Sequence, residues 1–319
     1  MAVQVLQAGI LTTLQDVGRF GHRAQGVVTG GAMDSFAHQV SNWLAGNADD
    51  CATLEITMGG LQLIFEEKSW IALTGNGFNA FINDTPVNNW SPLLIQAQSL
   101  LKIQYTGKGC RAYLAINGGW KADFLLNSYS TYLPGGWGGY KGRPIKKGDR
   151  LEYCVTSSSL FKAHRWTIAP SALLPYGDNC LIRVTEGPEW NLFTNDSKNE
   201  FNQSWLSILP QSNRMGYRLH SNIRRTHSGE ILSTAVCPGT IQVLPDGNLV
   251  LLMKDAPATG GYPRIAQVVE TDIPLIAQMI TGNSLRFTTV TLRQAEEIYL
   301  TYQQKMQKLQ EYITNRLYQ

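Results

Sequence analysis

The feature that most limits what this chain can fold into is the regular recurrence of glycine-based turns. Gly30-Gly31, Gly59-Gly60, Gly75-Asn76-Gly77, Gly118-Gly119, the GGWGG run at 135–139, Pro245-Asp246-Gly247 and Gly260-Gly261 cut the sequence into short runs rich in Val, Ile, Leu and Thr. Short runs of β-branched and aliphatic residues between turn signals read as strands, and their even spacing predicts a mainly β barrel or sandwich with few helices. With 319 residues and 43% apolar side chains, the chain can bury a large interior, and its length implies about two domains.

Two segments read as helices. Asp34 is placed to cap one in which Phe36, Val40, Trp43 and Leu44 fall at i, i+4, i+7 and i+8, and Gly46-Asn47 supplies the stop. From about Leu292 onward, Ala295, Tyr299, Tyr302, Met306, Leu309, Ile313 and Leu317 recur every three or four residues, with no glycine or proline between them. So narrow a stripe suits either a terminal helix packed on its own barrel or a docking helix for a partner. The aperiodic, proline-bearing stretch APSALLPYG at 169–177 marks a joint near Pro175. The expected division is an N-terminal β domain at 1–175, a C-terminal β domain at 176–290 and a long C-terminal helix at 291–319.

Charge and cysteine usage exclude several classes. A net charge of +3, dispersed along the chain, is too weak a footprint for nucleic acid. Its densest basic patch, Arg224, Arg225 and His227, reads as a solvated turn. No run approaches the length of apolar residues that spans a bilayer. The five cysteines are far apart, form no C-x-x-C and follow no secretory leader, which points to a reducing, cytoplasmic setting. The five histidines (His22, His38, His164, His220, His227) form neither H-E-x-x-H nor H-x-H, so no metal site is expected. In GGWGGYKG at 135–142, Tyr140 and Gly142 stand where a phosphate-binding P-loop needs glycine and a hydroxyl. Ser128 and Ser130 lie in a polar loop with no evident base, which argues against a serine nucleophile.

What remains is polar side chains on glycine-rich bends. TLQDVGRFGHR at 13–23 presents Asp16, Arg19, His22 and Arg23 within one loop. An arginine fork suits a carboxylate or phosphate, although an Asp16–Arg19 ion pair stapling the turn explains the same residues. RFGHR at 19–23 is echoed by RMGYR at 214–218, each glycine-centred, which suggests two related β-rich halves; Arg19, Arg23, Arg214 and Arg218 are candidate anion ligands, or one arginine of RMGYR is internal and the other available. The imidazole of His22 suits proton exchange near neutrality. The stretch DAPATGGYP at 255–263 is longer than a hairpin needs. It offers a carboxylate, Asp255, and a phenol, Tyr262, beside Gly260 and Gly261, where a ligand has room to approach closely, although a long surface turn with no ligand explains the same residues.

Taken in order, TLQDVGRFG from Thr13, GGAMD from Gly30, NWLAGN from Asn42 with Leu54-Glu55, RAYLAINGG from Arg111, Gly142-Arg143 with KGD from Lys147, RMGYRL from Arg214, PGTIQV from Pro238 and GGYP from Gly260 resemble the family of the 5-oxoprolinase C subunit, also called KipA or allophanate hydrolase subunit 2, related to the carboxyltransferase part of urea carboxylase. The resemblance runs from about Leu11 to about Phe287. It implies two cyclophilin-like β-barrels, and an assembly in which A, B (KipI-like) and C subunits use ATP with Mg2+ to open 5-oxoproline to glutamate, the C subunit being inactive alone. By their side-chain chemistry, not by the resemblance, Asp255, Tyr262 and His22 are the catalytic candidates. Arg19, Arg23, Arg214, Arg218, Gly260 and Gly261 are the candidates for binding substrate or phosphate. A regulatory protein that binds a KipI-type kinase inhibitor, or a urea-type carboxyltransferase component, are the alternatives the same resemblance implies. No A-M-K-M biotin-attachment motif occurs, so neither biotin nor a metal is expected on this chain. The sequence departs from its relatives where they commonly read D-x-Q-T-T-G-G-Y-P, with Pro257 and Ala258 replacing an amide and a hydroxyl.

Overall fold

The computed structural model describes residues 1–154, 166–226 and 231–318, so His164 and His227 lie outside the described residues. The chain resolves into two compact units that are not contiguous in sequence. One comprises Met1–Arg19, Gly30–Tyr176 and Met306–Gln319; the other comprises Phe20–Thr29 and Gly177–Lys305. The junction at 176/177 falls beside the aperiodic stretch noted above. The bend at 20–29, however, counts with the second unit, and the C-terminal helix is divided between the two.

The first unit contains strands β1 (Ala2–Ala8), β2 (Leu11–Gln15), β3 (Thr53–Thr57), β4 (Leu61–Phe65), β5 (Ser69–Gly75), β6 (Phe78–Ile82), β7 (Thr85–Val87), β8 (Pro92–Ile95), β9 (Leu100–Tyr105), β10 (Arg111–Ile116) and β11 (Arg150–Glu152), with helix α1 (Ser35–Leu44) between β2 and β3. They form a six-stranded sheet, β11-β1-β4-β9-β6-β7, and a five-stranded sheet, β2-β3-β10-β5-β8. Alternation fills the interior. In β4, Leu61, Leu63 and Phe65 are buried while Gln62 and Ile64 are not fully so, and Leu101 and Ile103 of β9 and Leu54, Ile71 and Leu114 of the second sheet share the same core. Each such side chain contributes about 1.5–3 kcal/mol through burial. Tight approach of the backbones demands glycine at the β5–β6 corner: Gly77 has φ +91°, and a Cβ there would stand 1.9 Å from the Lys108 carbonyl oxygen. Helix α1 begins as the sequence predicts, with the Asp34 carboxylate accepting from the Ala37 N–H.

The second unit contains β12 (Asn179–Glu186), α2 (Asn195–Gln203), β13 (Leu206–Ser207), β14 (Gly216–Leu219), β15 (Thr234–Ala235), β16 (Thr240–Val243), β17 (Leu249–Leu252), β18 (Thr259–Gly260), β19 (Arg264–Val268), α3 (Ile273–Ala277), β20 (Ser284–Thr289) and the start of α4 (Leu292–Tyr318). Its main sheet runs β13-β20-β12-β19-β16-β17-β14. The two edges nearly meet: Ile208 bridges Leu219, the Leu209 N–H donates to the Arg218 carbonyl at 2.8 Å, and the His220 N–H donates to the Ser207 carbonyl at 3.1 Å. Curling a sheet until its edges pair removes exposed hydrogen-bonding edges, so this unit is a nearly closed barrel. Long α4 forms where the spacing predicts it, but only Met306, Ile313 and Leu317 of its stripe are buried.

Candidate functional site

Each unit gathers motif residues around a buried carboxylate. In the first unit, antiparallel register sets Glu55 of β3 opposite both Tyr113 of β10 and Thr13 of β2. The Tyr113 hydroxyl donates to Glu55 Oε2 at 2.7 Å, and the Met33 N–H donates to the same oxygen at 2.8 Å. The Tyr113 oxygen also accepts from the Asp34 N–H at 2.8 Å. Arg111, two residues before Tyr113 and so on the same face of β10, holds its Nε 3.7 Å from Glu55 Oε1. On the far side of Asp34, the Tyr176 hydroxyl donates to Oδ2 at 2.8 Å. GGAMD, Leu54-Glu55 and RAYLAINGG, quoted above as separate pieces, thus converge on one network. Burial, with the Glu55 and Asp34 carboxylates beside it, drives the Tyr113 phenol well above its usual value. Tyr113 is therefore a fixed donor.

The bend after β2 is fastened nearby. Asp16, 2% exposed, accepts from the Gly18 N–H at 2.8 Å, the Ser128 hydroxyl at 2.6 Å, the Tyr129 N–H at 2.6 Å and the Ser130 hydroxyl. Arg19, fully buried, donates to the Ser130 carbonyl, with its guanidinium 4.3 Å from the Trp137 ring centroid. The two serines do have a carboxylate beside them, brought from more than a hundred residues upstream, but both are fully buried and their hydroxyls are donors to it. That arrangement staples a loop and leaves no nucleophile. His38 packs in the same region, Nδ1 2.9 Å from Thr53 Oγ1. Burial pushes its imidazole below the usual value against the pull of Asp16.

In the second unit, Arg214 and Asp255 form a two-pronged pair, Nε to Oδ2 at 2.8 Å and Nη2 to Oδ1 at 2.9 Å. The Asp255 N–H also donates to the Arg214 carbonyl at 2.9 Å. With exposures of 7% and 2%, both side chains are withdrawn from solvent. Arg23 donates to Thr29 Oγ1 at 3.0 Å and to the carbonyls of Val236 and Ala258, pinning its bend onto the loop that holds Asp255. His22 is half-buried, its carbonyl accepting from Gln25 and Val27. Arg218 projects from β14 into solvent, and Tyr262 is 44% exposed.

The long connection is thus partly a ribbon, with β18 pairing β15 through Thr234↔Gly260 and Ala235↔Thr259. Neither Gly260 nor Gly261 has a positive φ. The requirement at Gly260 is space, because a Cβ there would meet the Gln242 side chain at 2.6 Å. Gln242 Nε2 in turn donates to the Tyr262 carbonyl at 3.0 Å and fixes the phenol-bearing turn. Pro257 is exposed, and Ala258, 8% exposed, offers its carbonyl to the Val236 N–H at 3.1 Å. Arg224 and Arg225, read above as a solvated turn, line an open cavity of about 520 Å3 together with Asp246. Among the described residues, no group of three or more His, Cys, Asp or Glu side chains is arranged to hold a metal ion, and no helix is long and apolar enough to cross a membrane.

A sheet barrel, a paired-sheet unit and motif residues gathered on buried carboxylates define a class. Residues 25–289 match the family model described as carboxyltransferase domain, subdomain A and B. The fold overlays that of the Kluyveromyces lactis urea amidolyase with a TM-score of 0.89 at 28% identity, covering 97% of this chain and 20% of that one. Curated relatives resolve the class further. The chain is 38% identical over 294 residues to the C subunit of 5-oxoprolinase from Escherichia coli K12, covering 92% of this chain and 93% of the relative. It is 33% identical over 305 residues to that of Haemophilus influenzae, covering 93% of this chain and 96% of the relative. The urea amidolyase of Lachancea kluyveri matches at 30% over 93% of this chain but only 17% of its own length. The chain belongs to the 5-oxoprolinase C-subunit family of carboxyltransferase-domain proteins.

Proposed function

We propose that this chain is the C subunit of an ATP-dependent 5-oxoprolinase and acts with A and B subunits to open 5-oxoproline to glutamate. The observation that carries this reading is the 38% identity to a 5-oxoprolinase C subunit across nearly the whole of both chains. A lactam carbonyl is a poor electrophile, and ATP with Mg2+ supplies the phosphoryl group that turns its oxygen into part of a good leaving group.

Three of the four candidate arginines do not fit a phosphate cradle. Arg19 is engaged with Ser130 and Trp137, Arg23 with Thr29 and two carbonyls, and Arg214 with Asp255. The nucleotide is therefore assigned to the assembled complex, with no step of catalysis routed through these three side chains. Asp255 becomes a positioning residue that fixes Arg214 beneath the 255–263 loop. The side chains on this chain suited to touch the substrate are the solvent-facing ones, Tyr262 as hydrogen-bond donor and Arg218 as the counter-charge for a carboxylate, with His22 on the bend that Arg23 secures.

The test is coexpression with the A and B subunits followed by measurement of phosphate release. Release that rises on addition of 5-oxoproline supports the assignment, and Tyr262→Phe is expected to cut the stimulated rate by about 100-fold while leaving assembly intact. Tight assembly with no 5-oxoproline-dependent ATP hydrolysis would instead assign a KipA-like regulatory role. A urea-type carboxyltransferase is the second reading, favoured by the overlay on urea amidolyase. It requires carboxyl transfer from a biotinylated partner, and lack of any such transfer in the reconstituted mixture would remove it.

A further inference from the structure

Two of the five cysteines meet at one glycine of the first unit. Cys51, half-buried, lies in the turn that follows α1, and Cys154, exposed, follows β11. Between them sits Gly119, with φ +79°. A Cβ built on Gly119 would lie 3.5 Å from Cys51 Sγ and 3.6 Å from Cys51 Cβ, while the Gly119 carbonyl accepts from the Cys154 N–H at 3.0 Å. The Cys51 thiol is pushed up by burial first and by Asp50 next, with Cys154 among the smaller contributors. The remaining cysteines stand elsewhere: Cys110 and Cys180 are buried, and Cys237, exposed, belongs to the second unit.

We propose that Cys51 and Cys154 form a redox-active dithiol, a modification site at which a peroxide-class oxidant creates an intrachain disulfide. The exposed Cys154 thiolate attacks one peroxide oxygen, the O–O bond breaks, and a sulfenic acid forms as hydroxide departs and takes up the proton the thiol released to become water. The Cys51 thiolate then attacks the Cys154 sulfur. An S–S bond forms, the S–O bond breaks, and hydroxide departs and takes up a proton to become water. Two thiols are oxidised and one peroxide is reduced to two waters. Because Cys51 must first lose its proton, the second step is slow at neutral pH and quickens as pH rises. The closed bond spans most of the first unit's strands, so the oxidised chain is the more heat-stable form.

The experiment treats the full chain, in a Cys237→Ser background, with hydrogen peroxide over a series of pH values, alkylates the remaining thiols and maps peptides without reduction. The expected result is a linked peptide containing Cys51 and Cys154, loss of both thiols from labelling, a raised Tm that dithiothreitol reverses, and faster linkage at higher pH. Cys51→Ser is expected to leave Cys154 on the path to sulfinic acid. Detection of Cys154 sulfinic acid in the Cys51-containing chain while Cys51 still labels fully, or of Cys154 joined to a second copy of the chain, overturns the proposal.

Discussion

The two units bury an arginine beside a carboxylate in different ways. In the second unit, Asp255 and Arg214 satisfy each other through two parallel hydrogen bonds at 2.8 and 2.9 Å. In the first, Oε2 of Glu55 is met by two neutral donors, Tyr113 and Met33, while Arg111 Nε stands 3.7 Å from Oε1, beyond hydrogen-bond length. The forked pair acts as a clasp whose halves depend on one another. The other arrangement spreads a charge over a network that includes a helix cap, so the loss of one neutral member leaves the charge with other partners.

Breaking the clasp has the largest expected effect. Asp255→Ala takes the two-pronged carboxylate partner from Arg214 in a site 7% exposed, and is expected to cost about 3–5 kcal/mol. Urea unfolding followed by a probe in the second unit measures it, and a double replacement of Arg214 and Asp255 by apolar residues is expected to recover most of the loss. Equal stability of the single and double variants would erase the contrast. Tyr113→Phe comes next. Removing the hydroxyl takes one donor from Glu55 and one acceptor from the Asp34 N–H, at a cost of about 1–3 kcal/mol; a loss as large as that of Asp255→Ala would show that the network also behaves as a single clasp. Asp34→Asn keeps an N-cap side chain on α1 but weakens the acceptor for Tyr176, and is expected to cost about 1 kcal/mol or less in the same assay.

The smallest effect is the pH dependence contributed by His38. Its folded-state value is depressed below 6.5, mainly by burial. Below 6.5 the unfolded imidazole gains a proton that the folded one refuses, so this contribution is fully present above 6.5 and is lost as pH falls through the folded value. His38→Gln is expected to flatten that part of the stability profile, read as Tm against pH.

Helix α1 is legible in the sequence because every signal for it is local. Asp34 supplies the cap, Phe36, Val40, Trp43 and Leu44 share one face, and the chain turns at Gly46, φ +71°. Helix α4 is legible for the same reason. Helix α2 is not, since within Asn195–Gln203 only Ser197 and Phe201 are buried and so thin a stripe gives no periodicity to read. The convergence of Asp34, Glu55, Arg111 and Tyr113 leaves one trace, a charged residue in each of two strands that are buried along almost their whole length, TLEIT and RAYLAI. A buried charge needs a partner, but which partner depends on strand register, and register is not local. The loop at 16–19 illustrates the cost of that gap. Asp16 and Arg19 read as a ligand-binding bend or a self-contained ion pair, whereas both fasten to the segment at 128–130. Gly260 reads as room for a ligand and in fact admits the side chain of Gln242.

The amino-acid order alone determined the β-rich class, the two clear helices and the family, because turns, caps and periodic faces are written within a few residues of where they act. Only the tertiary structure decided which arginines are available to solvent. Arg19, Arg23 and Arg214 are spent on acceptors that sequence neighbours do not supply, while Arg218 and Tyr262 remain at the surface. A side chain's partner is fixed by strand pairing and loop docking across many tens of residues, and that geometry exists only once the barrel has closed.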